Sequence, residues 1–384
     1  MSKSYAWLVV LLLIPSFVLG AVFGSKSLLH VQKASTLKPG RLELRSDMRF
    51  FSKVGDYLGQ NKPADFTAVN YWLVQGNALL SFGVMNNFDI TLMTRVYQDT
   101  HKKNEYNSPD DIFLDIKGGS FGFMNDRIQV GGILSFRFPT GEVHNYPFEP
   151  YTAGALEFGL TGLFSYYKDP FLPDRDISIH ANLGWYNHND AGKILYQQTN
   201  PQGEVIREFR AGNNATALRF GLGFSYPTEM FDINLELWGN NFISKPDSMA
   251  YSRENYVYVT PSVRFKPRWW LNFDLALDVR VSPDKDESSF ALPGPVRNLT
   301  LPNYPSWRMT LGMGFVLNQG AERARRAVGG GATIREKVDF FEKLLKEKEK
   351  ARSIEEELKR LRREREQAEK ELEELRQLLE EQGK

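Results

Sequence analysis

Residues alternate between apolar and polar along most of the chain, and this alternation has the period of a β-strand. In FDINLELWGNNF, residues 231–242, Phe231 and Ile233 alternate with Asp232 and Asn234. Successive side chains of a strand point to opposite faces of a sheet, so the segment predicts one apolar face and one polar face. In a soluble sandwich the apolar face would cover a core. In a membrane-spanning barrel it would face lipid, and the polar face would line a lumen.

Twelve segments of this kind follow one another between residues 40 and 317. They lie near residues 40–53, 69–82, 88–98, 109–120, 126–137, 150–166, 175–187, 213–225, 231–242, 254–265, 271–281 and 305–317.

The connections between these segments alternate strictly between short and long. Those after the second, fourth, sixth, eighth and tenth segments are tight, as in VMNN and PTEM, and the others are longer and polar. An up-and-down barrel in an outer membrane has short periplasmic turns and long external loops, whereas a Greek-key sandwich has no reason to keep this rhythm. The pattern therefore predicts an all-β fold, a twelve-stranded antiparallel up-and-down transmembrane β-barrel, followed by a long C-terminal α-helix or coiled coil.

Charged residues of both signs fall on the predicted inner face. Opposite charges on neighbouring strands form favourable cross-strand pairs, so we expect Arg264 to compensate both Asp232 and Asp274. A random scatter of charges on a wetted wall is the alternative, because the register is unknown at this stage. The residues expected to line the lumen are Arg45, Asp47, Arg49, Asp89, Arg95, Asp115, Lys117, Arg137, Glu157, His180, Arg219, Asp232, Glu236, Arg264, Asp274, Asp278, Arg280 and Arg308.

Glycine and aromatic residues recur at regular places in the predicted strands. The inner face carries Gly221, Gly223, Gly312 and Gly314, where a curved wall has least room. Aromatic residues collect near strand ends, where an amphipathic ring suits the headgroup layer, and they are Tyr166, Tyr167, Trp185, Tyr186, Trp269, Trp270 and Trp307.

The first residues have the composition of a secretory signal. AWLVVLLLIPSFVLG follows Lys3 and precedes small residues, and it is too short and too interrupted by Pro15 to favour an uncleaved anchor. We therefore assign residues 1–20 to a signal peptide. Residues 21–39 are expected to form a lead-in segment. Its residues 25–39 could lie inside the barrel or merely lead in from the periplasm, and we favour the latter. The chain has no cysteine, which excludes disulfide and thiol chemistry.

Residues 40–317 resemble the broad class of bacterial outer-membrane β-barrel proteins, including porin-like and transporter barrels. TLGMGFVL resembles the terminal-strand assembly signal of that class, matched by Thr310, Gly312, Phe315 and Leu317. VNYWLVQGNALLSFGVMNNFDITLMTRVYQ resembles the opening hairpin of many such barrels. The resemblance implies residence in the bacterial outer membrane, contact with its lipid and recognition by the barrel assembly machinery. In many members the signal ends the chain, whereas here more residues follow.

The residues after the barrel change character twice. Residues 318–333 are a Gly- and Arg-rich linker, and residues 334–384 are dense in Glu, Lys and Arg with apolar residues on a heptad-like spacing. An even number of strands places this tail in the periplasm. Three hypotheses remain open: pairing with a second copy or another periplasmic helix, packing on envelope components, or a solitary helix held by i,i+4 ion pairs.

The sequence shows no catalytic, cofactor or metal motif. Its five histidines have no metal-ligand spacing, and neither a G-x-S-x-G elbow nor a phosphate loop is present. Asp176, Ser178 and His180 share a face, but their spacing on a strand is too long for a direct triad. We expect no enzyme activity and no cofactor. The 48 basic and 47 acidic residues balance, so we also expect no nucleic-acid partner.

These features favour a passive or weakly selective channel for small polar solutes, with a periplasmic helical tail for self-association or envelope contact. Two alternatives stay open. One is a structural envelope anchor whose barrel carries the helix and conducts nothing, and the other is a secreted soluble β-sandwich.

Overall fold

A computed structural model describes residues 25–55, 69–100, 111–141, 144–145, 148–170, 173, 176–200, 202–285, 287–288 and 304–319, together with 345–346, 349, 357–365 and 367–369 of the tail. These residues form β1 (Arg41–Gly55), β2 (Val69–Met85), β3 (Phe88–Thr100), β4 (Ile112–Phe123), β5 (Ile128–Phe138), β6 (Glu157–Tyr167), β7 (Ser178–Asn187), β8 (Ile194–Thr199), β9 (Val205–Arg210), β10 (Thr216–Pro227), β11 (Phe231–Ser244), β12 (Tyr256–Arg268), β13 (Leu271–Arg280) and β14 (Trp307–Gln319).

Twelve of these strands form one closed antiparallel barrel. Each strand pairs with its neighbour along the chain, β10 follows β7, and β1 closes the ring against β14. Asp47 on β1, for example, lies opposite Gly312 on β14 and Asn77 on β2. The predicted twelve-stranded antiparallel barrel is thus confirmed, and each predicted segment coincides with one barrel strand.

Strands β8 and β9 lie outside the barrel wall. They pair only with each other, within the connection between β7 and β10. The sequence pattern predicted a loop for this whole connection, so the hairpin was not predicted. We call the end of the barrel that carries the tight connections the short-turn end, and the opposite end the long-loop end.

The two faces of the wall have opposite chemistry. On β11, Leu235 is 51% exposed and the adjacent Glu236 is 0% exposed, and the same alternation runs through β6 and β7. Apolar side chains therefore cover the outside and polar side chains face the interior. This inside-out pattern is the one that a lipid-embedded barrel requires.

Buried apolar clusters lie mainly at the long-loop end. Tyr151, Leu195, Phe242 and Met249 pack together from three connections and from β11. Two aromatic residues that were expected in the headgroup layer, Tyr167 and Tyr186, are each only 2% exposed and point into the barrel. That expectation was wrong for both, because position along a strand does not determine which face a side chain occupies.

The tail, from Glu322 onward, is a separate compact unit. Its described residues are helical, and two i,i+4 pairs join Arg360 to Glu364 at 3.0 Å and Arg365 to Glu369 at 2.8 Å. Linker 318–333 and helix 334–384 otherwise lie largely outside the described residues, as does signal peptide 1–20. Within the part of the chain that the structure describes, no helix has the length and apolar character needed to cross a bilayer.

The outward face gives a direct stability prediction. Arginine in place of Leu235 would put a charge near the middle of the lipid-facing band, at a cost of about 2–4 kcal/mol. We expect Leu235→Arg to lower the guanidinium midpoint of the barrel refolded into lipid vesicles. Ile206→Arg on β9 is the matched control, because Ile206 is 64% exposed but lies outside the wall. Equal losses in the two variants would contradict a lipid-facing Leu235.

Candidate functional site

The N-terminal segment, residues 25–39, lies inside the barrel, and we call it the plug. Leu28, Leu29, Val31, Ala34 and Leu37 are between 0 and 3% exposed. Their neighbours are inward-facing residues of the wall. The expectation that this segment merely leads in from the periplasm was therefore wrong for the described residues 25–39.

A tight turn in the plug wraps its backbone around one carboxylate of the wall. The N–H groups of Leu29, His30 and Val31 donate to Glu236 on β11 at 2.9, 2.7 and 2.6 Å. The turn is closed by a hydrogen bond from Leu28 N to Val31 O. Three backbone donors converge on this one buried carboxyl group, so Glu236 is the main attachment point of the plug.

The side chain of His30 continues this attachment toward the long-loop end. Its ring stacks on Trp238 at 3.9 Å between centroids, and its Nε2 lies 2.8 Å from Asp278 Oδ1. Asp278 also accepts from Thr260 and from Arg308. The buried carboxylate therefore links the plug to β12 and β14.

Two arginines hold the plug from the other side. Arg45 and Arg264 both donate to the carbonyl of Leu28, and both pair with Asp274 at 2.8 and 2.6 Å. Asp232 pairs instead with Lys266 at 2.5 Å. Arg264 thus pairs with one of the two carboxylates expected for it, because the adjacent lysine satisfies the other.

The second half of the plug crosses the wall from strand to strand. Gln32 exchanges two hydrogen bonds with the Asn182 amide on β7, and Ala34 N donates to Ser165 on β6. Thr36 N then donates to Ser120 on β4, and Leu37 N donates to Asp89 on β3. Side chains of the wall thus accept hydrogen bonds from plug backbone N–H groups, which in a β-sheet would pair with the backbone of a neighbouring strand.

Inward-facing glycines make room for the plug. A Cβ atom at position 223 would lie 2.6 Å from Leu28 Cδ1, and one at position 119 would lie 2.2 Å from Ala34 O. The expectation of limited room at Gly221 and Gly223 has a specific cause, since Val31 lies against both. Inward glycines on several strands were the sequence signal that could have revealed an internal segment.

Two cavities lie on the two sides of the plug. The one toward the long-loop end, which we call the outer cavity, has a volume of about 110 Å³ and reaches down to His30. The one at the short-turn end has a volume of about 1030 Å³ and is bordered by plug residues between Ser25 and Pro39. The plug therefore separates two spaces that would otherwise form one lumen.

Some of the predicted lumen residues contact the plug, and others pair with side chains of the wall or of its connections. Those that touch the plug directly are Arg45, Asp89, Lys117, Glu236, Arg264 and Asp278. Asp47 pairs with Arg49, Arg137 with Asp111 and Glu157, and Arg280 with Asp284. Asp115 is buried on β4. Whether any of these residues lines a conducting path stays a prediction.

The charge pattern of the sequence did not predict the neutral residues that contact the plug. Ser120, Ser165 and Asn182 hold the plug, and Trp238 stacks on it, yet none carries a charge that a search for ionic ladders would select. Glu149 was also missed because it lies in a connection, where it pairs with Arg95 at 3.1 Å.

His180 is a wall residue with two hydroxyl partners. Its Nδ1 lies 2.7 Å from Ser165 Oγ and its Nε2 lies 3.0 Å from Ser178 Oγ. The Ser178 hydroxyl is thus closer to the imidazole than the backbone spacing of the strand suggested. Asp176 pairs with Lys168 at 3.6 Å. The described residues contain no group of three or more acidic or histidine side chains placed to bind a metal ion.

One carboxyl group organises the loop that follows β5. Asp111 accepts from Arg137 Nε at 2.5 Å and from Gly141 N at 3.1 Å, and His144 Nε2 lies 3.1 Å away. Burial alone would raise the pKa of Asp111, but the charge of Arg137 and the hydrogen bonds lower that pKa below its usual value. Asp111 is therefore ionised at neutral pH and ties this loop to the rim.

The closed barrel, its apolar exterior and its polar interior are the architecture of outer-membrane β-barrel proteins. No protein-family model matches the sequence. No curated protein matches it either.

Several solved outer-membrane barrels resemble the structure. An outer membrane channel from Pseudomonas putida F1 has a TM-score of 0.42 and 9% identity, over 74% of this chain and 98% of that one. The KdgM porin has a TM-score of 0.37 and 7% identity, over 71% and 99%. The translocator domain of the autotransporter NalP from Neisseria meningitidis has a TM-score of 0.38 and 9% identity, over 72% and 88%. The likeness lies in the barrel architecture.

The attachment of the plug to Glu236 can be tested by thiol labelling, because the natural chain has no cysteine. In a Leu29→Cys background, Glu236→Gln replaces one acceptor oxygen by an amide N–H₂ that faces backbone donors. A loss of about 2 kcal/mol is expected because buried donors lose their acceptor, which would raise the maleimide labelling rate about thirty-fold.

Glu157→Gln is the control for this comparison, since Glu157 is equally buried but pairs with Arg137 and His188 rather than with the plug. Labelling of Leu29→Cys at the same rate in both variants would show that Glu236 does not hold the plug.

Proposed function

We propose that this protein is an outer-membrane channel for small polar solutes and that its plug closes the lumen from inside. The observation that carries the proposal is the position of the plug between two cavities of one closed barrel. Twelve strands enclose more space than the eight that side chains alone can fill, and less than the sixteen or more of large porins. A single internal segment is enough to close such a lumen.

The way in which the plug is held supports its release. Most of its bonds to the wall join a plug backbone group to a side chain, as at Glu236, Asn182 and Ser165. The ladder bonds between strands do not involve these groups. The plug can therefore leave its place without breaking the wall, and water can replace each lost bond at a net cost of about 0.5–1.5 kcal/mol.

Little charge selectivity is expected at the short-turn end of the lumen. Arg45 and Arg264 flank Asp274, and Lys266 is paired with Asp232. Because positive and negative groups neutralise each other on adjacent strands, neither cations nor anions are strongly favoured there.

A second candidate function is a structural anchor that conducts nothing. The filled lumen favours it, and so does the charged tail, whose described helical leucines Leu358 and Leu361 are more than half exposed. In this hypothesis the tail lies in the periplasm and contacts a second copy or an envelope component. Exposed leucines on the tail could pack against a second copy or an envelope component. The i,i+4 ion pairs are equally compatible with a solitary helix.

Planar-bilayer recordings distinguish a channel from an anchor. Removing residues 25–38, so that the preceding residues join Pro39, is expected to give a steady conductance that the full chain shows only in brief openings. Refolding is checked by heat-modifiable migration on gels. A folded barrel without residues 25–38 that conducts no ions would overturn the channel proposal and favour the anchor.

A reversible tether tests whether the plug itself gates the lumen. A Cβ atom at position 221 would lie 3.8 Å from the Cβ of Val31, which matches the usual separation of about 3.8 Å in a disulfide. Val31→Cys with Gly221→Cys should abolish openings when oxidised and restore them on reduction. The two single-cysteine variants are the controls and should not respond to oxidant. Openings of equal frequency in the oxidised and reduced double variant would exclude gating by the plug.

A further inference from the structure

One arginine that borders the outer cavity makes no ion pair within the described part of the chain, whereas four others do. Arg49, Arg95, Arg137 and Arg308 border this cavity and each pairs with a carboxylate. Arg219 also borders it, but within the described part of the chain it has no carboxylate at salt-bridge distance. Its Nε is buried and has no hydrogen-bond acceptor among those residues.

The surroundings of Arg219 keep it in place and leave it open toward the cavity. Its guanidinium lies over the Tyr186 ring at 3.8 Å from the centroid. Its neighbours in register are Gly184 on β7, which has no side chain, and Asn240 on β11. A cation–π contact stabilises the guanidinium without using its hydrogen-bond donors. Those donors remain available for an acceptor that enters the cavity.

Flat aromatic side chains form another part of the same cavity. Trp238 stacks with His30 and with Tyr258, with centroids 3.9 and 4.9 Å away, and Tyr256 meets Tyr258 edge to face. Ring edges and faces of this kind bind planar apolar groups by offset or edge-to-face packing. The cavity thus combines one unpaired cation with an aromatic wall.

We propose that the outer cavity binds a small aromatic carboxylate, with its carboxylate on Arg219 and its ring against the aromatic wall of Trp238 and Tyr256. A guanidinium presents two parallel N–H donors that match a carboxylate, and a water molecule would leave the positive charge uncompensated. Binding at this site stands independently of conduction. That the bound anion is also the transported solute rests on the proposed channel function.

Calorimetric titration of the full chain, folded in detergent micelles, tests the site with three probes. Benzoate carries both groups, benzamide keeps the ring and shape without the charge, and acetate keeps the charge without the ring. Benzoate is expected to bind at least ten-fold more tightly than either benzamide or acetate. Equal affinity for benzoate and benzamide, equal affinity for benzoate and acetate, or no benzoate binding would each overturn the proposal.

Two substitutions locate the anion within the protein. Arg219→Met should weaken benzoate binding at least ten-fold and leave benzamide binding unchanged, whereas Arg219→Lys should retain an intermediate affinity because it keeps the charge but loses the paired donors. The matched control is Arg207→Met, since Arg207 also lies over an aromatic ring, Phe209 at 4.5 Å, but on β9 outside the wall. Unchanged benzoate affinity in the folded Arg219→Lys and Arg219→Met variants would contradict the site. Because these titrations involve no ion flow, their failure is separate from failure of the channel proposal.

Discussion

Closure of the sheet between β1 and β14 is the constraint on which the rest of the structure depends. Lipid offers no hydrogen bonds, so each backbone N–H and C=O in the wall must find its partner within the wall. Once the ring is closed, the period of two assigns alternate side chains to lipid and to the interior. The apolar exterior and the polar interior are two consequences of the same backbone geometry.

The polar interior creates a second requirement, because a buried charge is costly unless it is paired and hydrogen-bonded. The plug meets part of this requirement. Its backbone amides satisfy Glu236, and its histidine joins Arg308 in satisfying Asp278. Water would satisfy the same carboxylates in an open lumen. In the proposed channel, closing and opening would exchange plug amides for water at the same wall groups, and such an exchange can have a small net free energy.

The sequence was sufficient for the wall and insufficient for what fills it. Alternation and the short–long rhythm of connections define twelve strands because both follow from backbone geometry. The plug, SKSLLHVQKASTLKP, has no periodicity, since it runs across several strands of the wall instead of along one of them. Its partners Ser120, Ser165 and Asn182 are uncharged, and nothing in their own strands marks them as ligands for a distant segment. Arg264 shows the same limit, because cross-strand register predicted Asp232 as its partner and the nearby Lys266 took that carboxylate. The sequence could not predict that Arg219 lacks an ion pair, because this depends on which carboxylates the other arginines contact.

Hydrogen exchange of the plug amides tests the central claim, residence of the N-terminal segment within the lumen, most directly. Mass spectrometry of the full chain in detergent micelles would compare a peptide containing Leu29, His30 and Val31 with peptides from β11 and from the exposed β8–β9 hairpin. The account predicts protection of the plug amides well above that of the hairpin, because their acceptor is the buried Glu236. Exchange of the plug peptide at the rate of an unstructured chain would contradict an internal plug.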